Sequence, residues 1–241
     1  MISTFESFAT LARKKVGGGG FPDNPSLNTG LISYWKFDNN VTDELDATTL
    51  TLGGGAGYDT GKLNNGVLCD GVNDYIEADN IVLHYPTTGT DDAYTIAGWV
   101  WIKVLEPTGT KAIVGNRSSD SRGTYIAQVI YLSNDLRAYV ANNTRADMNS
   151  GYVITSPTHI CFTFTSAAGG TTKFYINHVL RGTITGDTLL PGGKFRFGAY
   201  GSGSPGLFMN GVFDNWGVWD RVLTDTERGE LWNSGDGLPY N

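Results

Sequence analysis

Tyr94-Thr-Ile-Ala-Gly-Trp-Val-Trp-Ile-Lys-Val104 is the stretch on which the fold turns. Side chains alternate across a β-strand with a period of two. Ile96, Val100 and Ile102 therefore share one face, while Trp99 and Trp101 share the other. A strand that is apolar on both faces is covered on both, so it belongs at the centre of a layered β protein.

Strand signals continue outward from it in both directions. Leu31–Phe37, Val67–Asp70 and Tyr75–Ala78 precede it. Lys111–Asn116, Tyr125–Leu132, Leu136–Ala141, His159–Thr165, Lys173–Asn177, Leu180–Thr185, Lys194–Ala199 and Leu207–Trp219 follow. Many short strands with turn residues between them and scant helix specify an all-β sandwich of antiparallel sheets. Thirty-three glycines, 12% aromatic and only 17% charged residues suit tight turns around a large core. Asn177-His178 stands where a two-residue hairpin turn is expected, although glycine is preferred at its second position. Thr224 and Glu227 have capping-box spacing ahead of Leu231, which predicts one short helix over Asp225–Asn233.

The first twenty residues read differently. Residues 2–16 read as a short amphipathic helix: Ser3 and Glu6 again have capping-box spacing, and Ile2, Phe5, Phe8 (or Ala9) and Ala12 recur at helical intervals. Arg13, Lys14 and Lys15 suit the negative end of a helix dipole, and Gly17–Gly20 end the helix as a flexible tether. So short a helix is marginal alone in water. Its apolar side chains, with Phe5, Phe8 and Leu11 as the anchor candidates, need the chain's own sandwich, a membrane surface or another protein as partner. Residues 21–30, with Pro22, Pro25, Asn24 and Asn28, read as a linker, and 31–241 as the sandwich.

Bulk properties narrow the function. A net charge of −7 argues against a nucleic-acid surface, which needs clustered Lys and Arg. No apolar run approaches the ~20 residues that span a bilayer. Basic residues follow rather than precede the first apolar segment, so it does not read as a secretory signal, and synthesis in a cytoplasm is expected. Cys69 and Cys161 both sit in apolar runs and read as buried free thiols, with a disulfide as the alternative.

Four segments, in order, resemble the concanavalin A-like (laminin G-like) jelly-roll family. They are Leu31-Ile-Ser-Tyr-Trp-Lys-Phe-Asp38; Gly61-Lys-Leu-Asn-Asn-Gly-Val-Leu-Cys-Asp-Gly71 with Asp74-Tyr-Ile76; Tyr94-Thr-Ile-Ala-Gly-Trp-Val100; and Phe213-Asp-Asn-Trp-Gly-Val-Trp-Asp-Arg-Val-Leu-Thr224. Cys69 stands where this family usually has an aromatic residue and His178 where it usually has glycine. The resemblance implies a concanavalin A-like sandwich and roles in glycan binding, adhesion and structural decoration. It also implies a structural Ca²⁺ between the opening strand and the last long strand, where Asp38 and Asp214 occupy matching positions. Aspartates that merely cap turns are the alternative.

Catalytic chemistry is not legible. None of the six glutamates forms the Glu-x-Asp-x-x-Glu pattern of sandwich hydrolases, and no Gly-x-Ser-x-Gly elbow is present. Gly57–Lys62 resembles a phosphate loop, but Leu63 stands where Ser or Thr must bind the metal. His84, His159 and His178 lack metal-ligand spacing. No catalytic residue is assigned. Glycan binding needs aromatic rings that stack on sugars, for which Trp101, Tyr139 and Tyr200 are the candidates, with Arg137 and Asn142 nearby; core packing is the competing reading of each.

A lectin-like domain, an anchoring helix and no export signal are together expected of a phage virion component. Such a capsid decoration or tail accessory protein would be made in the host cytoplasm and displayed on the particle. The helix would then engage other virion proteins within an oligomeric assembly, leaving the sandwich to meet host-surface glycans. The alternatives are a free-standing carbohydrate-binding module or an extracellular bacterial adhesin and, if carboxylates converge in a cleft, a glycan hydrolase.

Overall fold

The computed structural model describes residues 19–78, 93–104, 110–116, 128–132, 135–142, 144–149, 152, 154–165, 170–185, 194–201 and 204–241. Its strands are β1 (Leu31–Trp35), β2 (Leu50–Gly53), β3 (Gly57–Thr60), β4 (Asn65–Asp70), β5 (Tyr75–Ala78), β6 (Ala93–Ile102), β7 (Thr110–Asn116) and β8 (Gln128–Leu132). They continue as β9 (Asp135–Asn142), β10 (Thr144–Asn149), β11 (Thr158–Thr165), β12 (Thr171–Ile176), β13 (Val179–Thr185), β14 (Phe195–Phe197) and β15 (Asn210–Trp219). One helix, α1 (Asp225–Trp232), follows.

The strands form two antiparallel sheets. The eight-stranded sheet runs β13-β12-β11-β6-β15-β4-β3, with β1 also on β15, and the seven-stranded sheet runs β10-β9-β8-β7-β14-β5-β2. The strand Tyr94–Val104 was expected to be central, and β6 lies between β11 and β15. Its even-numbered side chains enter the core between the sheets, where Ile96, Val100 and Ile102 meet Trp35, Phe162, Phe197, Phe213 and Trp216. The ring of Phe197 lies 5.1 Å from both Phe195 and Trp216. Gly98 faces the same core, and a Cβ there would stand 2.3 Å from the Trp216 ring. The missing side chain is therefore what lets this indole lie across the central strand.

A second apolar cluster covers part of the outer face of the eight-stranded sheet. Ala97, Cys161, Tyr175 and Trp219 form its floor, and Phe21, Leu27, Leu231 and Tyr240 lie over them. This corrects the reading of residues 21–30 as a linker and of Gly19–Gly20 as free tether. Gly20 and Asn241 exchange two backbone hydrogen bonds of 2.6 and 2.9 Å, and the Phe21 N–H donates to Asn28 Oδ1 at 2.9 Å. Phe21 packs edge-on to Tyr34 and Tyr240, at 5.4 and 5.2 Å. Pro25–Asn28 make one 3₁₀ turn, whose Leu27 carbonyl accepts the Trp219 indole N–H at 2.7 Å. Arg221 fastens this segment to α1, donating to the carbonyls of Ser26 and Thr29 and to both carboxylate oxygens of Glu227.

Local expectations hold where local chemistry decides. Thr224 and Glu227 form the reciprocal capping box at the start of α1. Asn177 and His178 both adopt positive φ, 48° and 66°, as a hairpin turn of this kind requires. His178 tolerates that conformation while its ring contacts Asp225 and Trp232 of the helix. Cys69 and Cys161 are free and buried, one in each apolar cluster. Strand β15 begins at Asn210 rather than Leu207, because Leu207 is exposed with φ 53°. The anticipated N-terminal helix, with Phe5, Phe8 and Leu11, lies outside the described residues.

Candidate glycan-binding face

The covered cluster occupies only one end of β6. Beyond Ala97, the outer face continues to Trp99 and Trp101, roughly 7 and 13 Å further along the strand. Trp99 is paired with His159 on β11 and Asp214 on β15, and Trp101 with Val212, so these side chains share the outer face. Trp99 is buried against the His159 ring at 5.2 Å. His159 has no acidic partner in that contact, and burial pushes its imidazole down to about 3, so it is neutral at ordinary pH. A structural role for His159 fits this buried position.

Trp101 is half-buried, so part of its indole stays at the surface. Lys103 Nζ lies 3.4 Å from the ring centroid and 3.2 Å from Asp59 Oδ2. Cation–π and ion-pair contacts at exposed sites are each worth only about 1 kcal/mol or less, so a ligand can displace Lys103 cheaply. Lys62 Nζ stands 5.3 Å from the Trp99 centroid. This face therefore brings together an accessible indole, two ammonium groups and a surface carboxylate.

The other two glycan candidates do not join it. Tyr200 is only 8% exposed, beside an isolated bridge in which it exchanges two 2.8 Å backbone bonds with Gly206. Packing has taken the ring faces that stacking would need. Tyr139 lies on β9 opposite Gln128 and Asp147, and its side chain, like those of Arg137 and Asn142, is outside the described residues.

Asp38 and Asp214 do converge, on the loop that joins β3 to β4. Strand β15 bulges between Asp214 and Gly217, where Asn215 adopts φ 49°. There its edge passes from β4 to β1. Asp214 Oδ2 accepts the backbone N–H groups of Lys62 and Leu63, both at 2.7 Å, and Oδ1 accepts Asn215 Nδ2 at 2.6 Å. Asp38 accepts Asn65 N–H at 3.0 Å and Asn64 Nδ2 at 3.2 Å. Burial, with Asp38 adding repulsion, pushes the Asp214 carboxyl up to about 7. A hard cation wants six to eight oxygen ligands, but here N–H donors occupy every carboxylate oxygen. No group of three His, Cys, Asp or Glu converges among the described residues. The set does not fit Ca²⁺; it fits the turn-capping alternative.

Sequence reasoning missed a second polar cluster, on the outer face of the seven-stranded sheet. Glu77 of β5 and Arg196 of β14 are register partners, both buried. Arg196 Nε donates to Glu77 Oε2 at 2.6 Å, and Lys194 Nζ donates to Oε1. A charge flanked by core-facing residues in Tyr75-Ile-Glu-Ala78, matched by another in Phe195-Arg-Phe197, was the available signal. A carboxylate engaged by two cations ties its strands together, and Gly201 adds a carbonyl acceptor for Arg196. No helix among the described residues is long and apolar enough to cross a membrane.

Residues 70–227 match the profile of the concanavalin A-like lectin/glucanases superfamily. No curated protein sequence matches the chain. Among solved structures, the chain is similar to the receptor-binding domain of botulinum neurotoxin type G, with TM-score 0.63 and 15% identity over 85% of this chain and 51% of that one. It is also similar to domain 4 of an extracellular arabinanase from Geobacillus stearothermophilus, solved with arabinotriose, with TM-score 0.61, 19% identity and coverages of 86% and 98%. A third is the binding domain of botulinum neurotoxin DC in complex with SialylT, with TM-score 0.63, 15% identity and coverages of 85% and 51%. The chain thus spans about half the length of the neurotoxin domains. At these identities the likeness is one of fold.

Proposed function

The chain belongs to the concanavalin A-like lectin/glucanase superfamily, and from that membership we propose that it is a non-enzymatic glycan-binding protein displayed on a larger particle, a capsid or tail component of a phage virion. The observation that carries the glycan reading is Trp101. Among the described candidates it is the ring that remains at the surface, on the part of the outer sheet face that the described terminal segments leave uncovered. Lys103, just past the end of β6, lies over it and pairs with Asp59 of β3, and Lys62 of the next loop lies over the neighbouring Trp99. An amphipathic ring with flanking hydrogen-bonding groups is what a sugar face needs. The fold itself is that of domains solved with a sugar ligand, such as the arabinanase domain with arabinotriose.

The display reading rests on where the N-terminal arm joins. Gly19 and Gly20 sit beside Tyr240 and Asn241, over the covered cluster. Residues 1–18 are therefore attached away from the Trp101 end of β6, and an anchor there would leave the binding face free. Any structural Ca²⁺ would have to be supplied with ligands other than the Asp38–Asp214 set.

Two measurements test these two parts. On a glycan array, the folded chain should bind a sugar class and Trp101→Ala should lose it by about tenfold or more, as expected for a stacking contact worth over 1 kcal/mol. Binding unaffected by that substitution would reject the face. A chain lacking residues 1–18 should keep the glycan affinity but fail to incorporate into particles in a phage-infected lysate. Equal incorporation would reject the anchor.

A further inference from the structure

The two ammonium groups on this face differ in one respect. Lys103 is neutralised by Asp59 at 3.2 Å. Lys62 has no carboxylate within ion-pair distance among the described residues, although the chain carries a net charge of −7. Asp214 lies directly beneath the Lys62 loop, yet it spends Oδ2 on the backbone N–H groups of Lys62 and Leu63. Asp38 holds the other end of the loop through Asn64 and Asn65. The backbone is thereby fixed while the ammonium is left uncompensated above Trp99. Such a placement is preorganised for an anion that none of the described residues supplies.

Building on the glycan reading above, we propose that this face selects acidic glycans: the Trp101 indole supports a sugar ring and Lys62 takes the carboxylate that ring or its neighbour carries. Trp99 and Trp101 are two residues apart on one face, about 7 Å, so the ammonium over Trp99 stands one short step from the exposed indole. Lys103 is the second cation of the site. Its pairing with Asp59 at the surface is weak enough to be exchanged for a ligand carboxylate. The shared chemistry is a pyranose bearing a carboxylate, and both uronic acids and sialic acids present it.

The test is an array on which uronate and sialylated oligosaccharides are each printed beside their uncharged methyl esters, probed with the full chain. The acid form of at least one class is expected to bind about tenfold more tightly than its ester at low salt, with the gap closing as salt is raised. Lys62→Met, checked for folding by circular dichroism, should abolish the acid-over-ester preference. Trp101→Ala should remove binding of both forms. Equal binding of acid and ester, or a preference that survives Lys62→Met, overturns the acidic selectivity and leaves glycan binding standing. A folded chain that binds no sugar on the array overturns glycan binding and the selectivity with it.

Discussion

Phe21 lies in a stretch of prolines and asparagines that reads as a linker, yet it is 1% exposed. If it is a structural element of the sandwich, Phe21→Ala must be costly. A buried aromatic removes about 150–200 Å² from water, worth about 4 kcal/mol at 25 cal/mol per Å². The residual compactness of the unfolded chain trims this to about 3 kcal/mol. Two edge-to-face contacts, with Tyr34 at 5.4 Å and Tyr240 at 5.2 Å, add about 1 kcal/mol. The expected loss is thus about 4 kcal/mol, within the usual range for Phe→Ala in a core. Urea denaturation of the wild type and variant, followed by intrinsic fluorescence, measures it directly. For a domain of this size the melting temperature should fall by about 10 °C. A loss below about 1 kcal/mol, the size of an ordinary surface substitution, would refute the packing of residues 21–30 as an integral layer.

Gly98→Ala should destabilise by about 2–3 kcal/mol, measured by the same denaturation, because the added methyl enters the Trp216 ring across a rigid strand. Between about pH 7 and 4 protonation of the buried Asp214, raised to about 7, favours the folded state and opposes the other titrations, and stability should fall at lower pH. Hydrogen bonding to Arg221 holds Glu227 down to about 2, below its unfolded value, so its contribution is present above pH 5 and lost towards pH 2. Burial holds His159 down to about 3, so its share is lost as pH falls from about 6.5 towards 3. In melts at successive pH values, Glu227→Gln should flatten the lower part of that slope and leave the upper part. Because the Asp38–Asp214 pair caps a loop instead of coordinating a cation, Ca²⁺ and EDTA should leave the melting temperature unchanged. Asp214→Ala, which strips two N–H groups of their acceptor, should lower stability by about 2–3 kcal/mol.

Much of the fold was legible in sequence where side-chain periodicity or capping chemistry is local. The two-faced apolar pattern of Tyr94–Val104 placed β6, and Thr224 with Glu227 placed α1. Strands β2 and β3 were not anticipated, since Leu50-Thr-Leu-Gly53 and Gly57-Tyr-Asp-Thr60 are four residues each and carry little hydrophobic pattern. Their pairing with β5 and β4 defines them instead. Phe21 and Leu27 were missed for a similar reason: their partners Tyr34, Trp219 and Tyr240 are remote in sequence. At the candidate site, alternation showed that Trp99 and Trp101 share a face. It could not show that loop-borne Lys62 lies over one ring, or that a local bridge buries Tyr200. The family resemblance paired Asp38 with Asp214, and both reach the β3–β4 loop, but whether neighbouring groups present carbonyls or N–H donors depends on the backbone path of that loop.

The central claim is that the open end of the outer sheet face binds glycan through Trp101. The six tryptophans each give an indole N–H signal, so a titration of the ¹⁵N-labelled chain with the best array ligand reads the site directly. The account predicts a saturable shift of the Trp101 signal, with Trp216 and Trp219, buried and hydrogen-bonded to backbone carbonyls, unmoved. Saturable binding that leaves the Trp101 signal in place would contradict it.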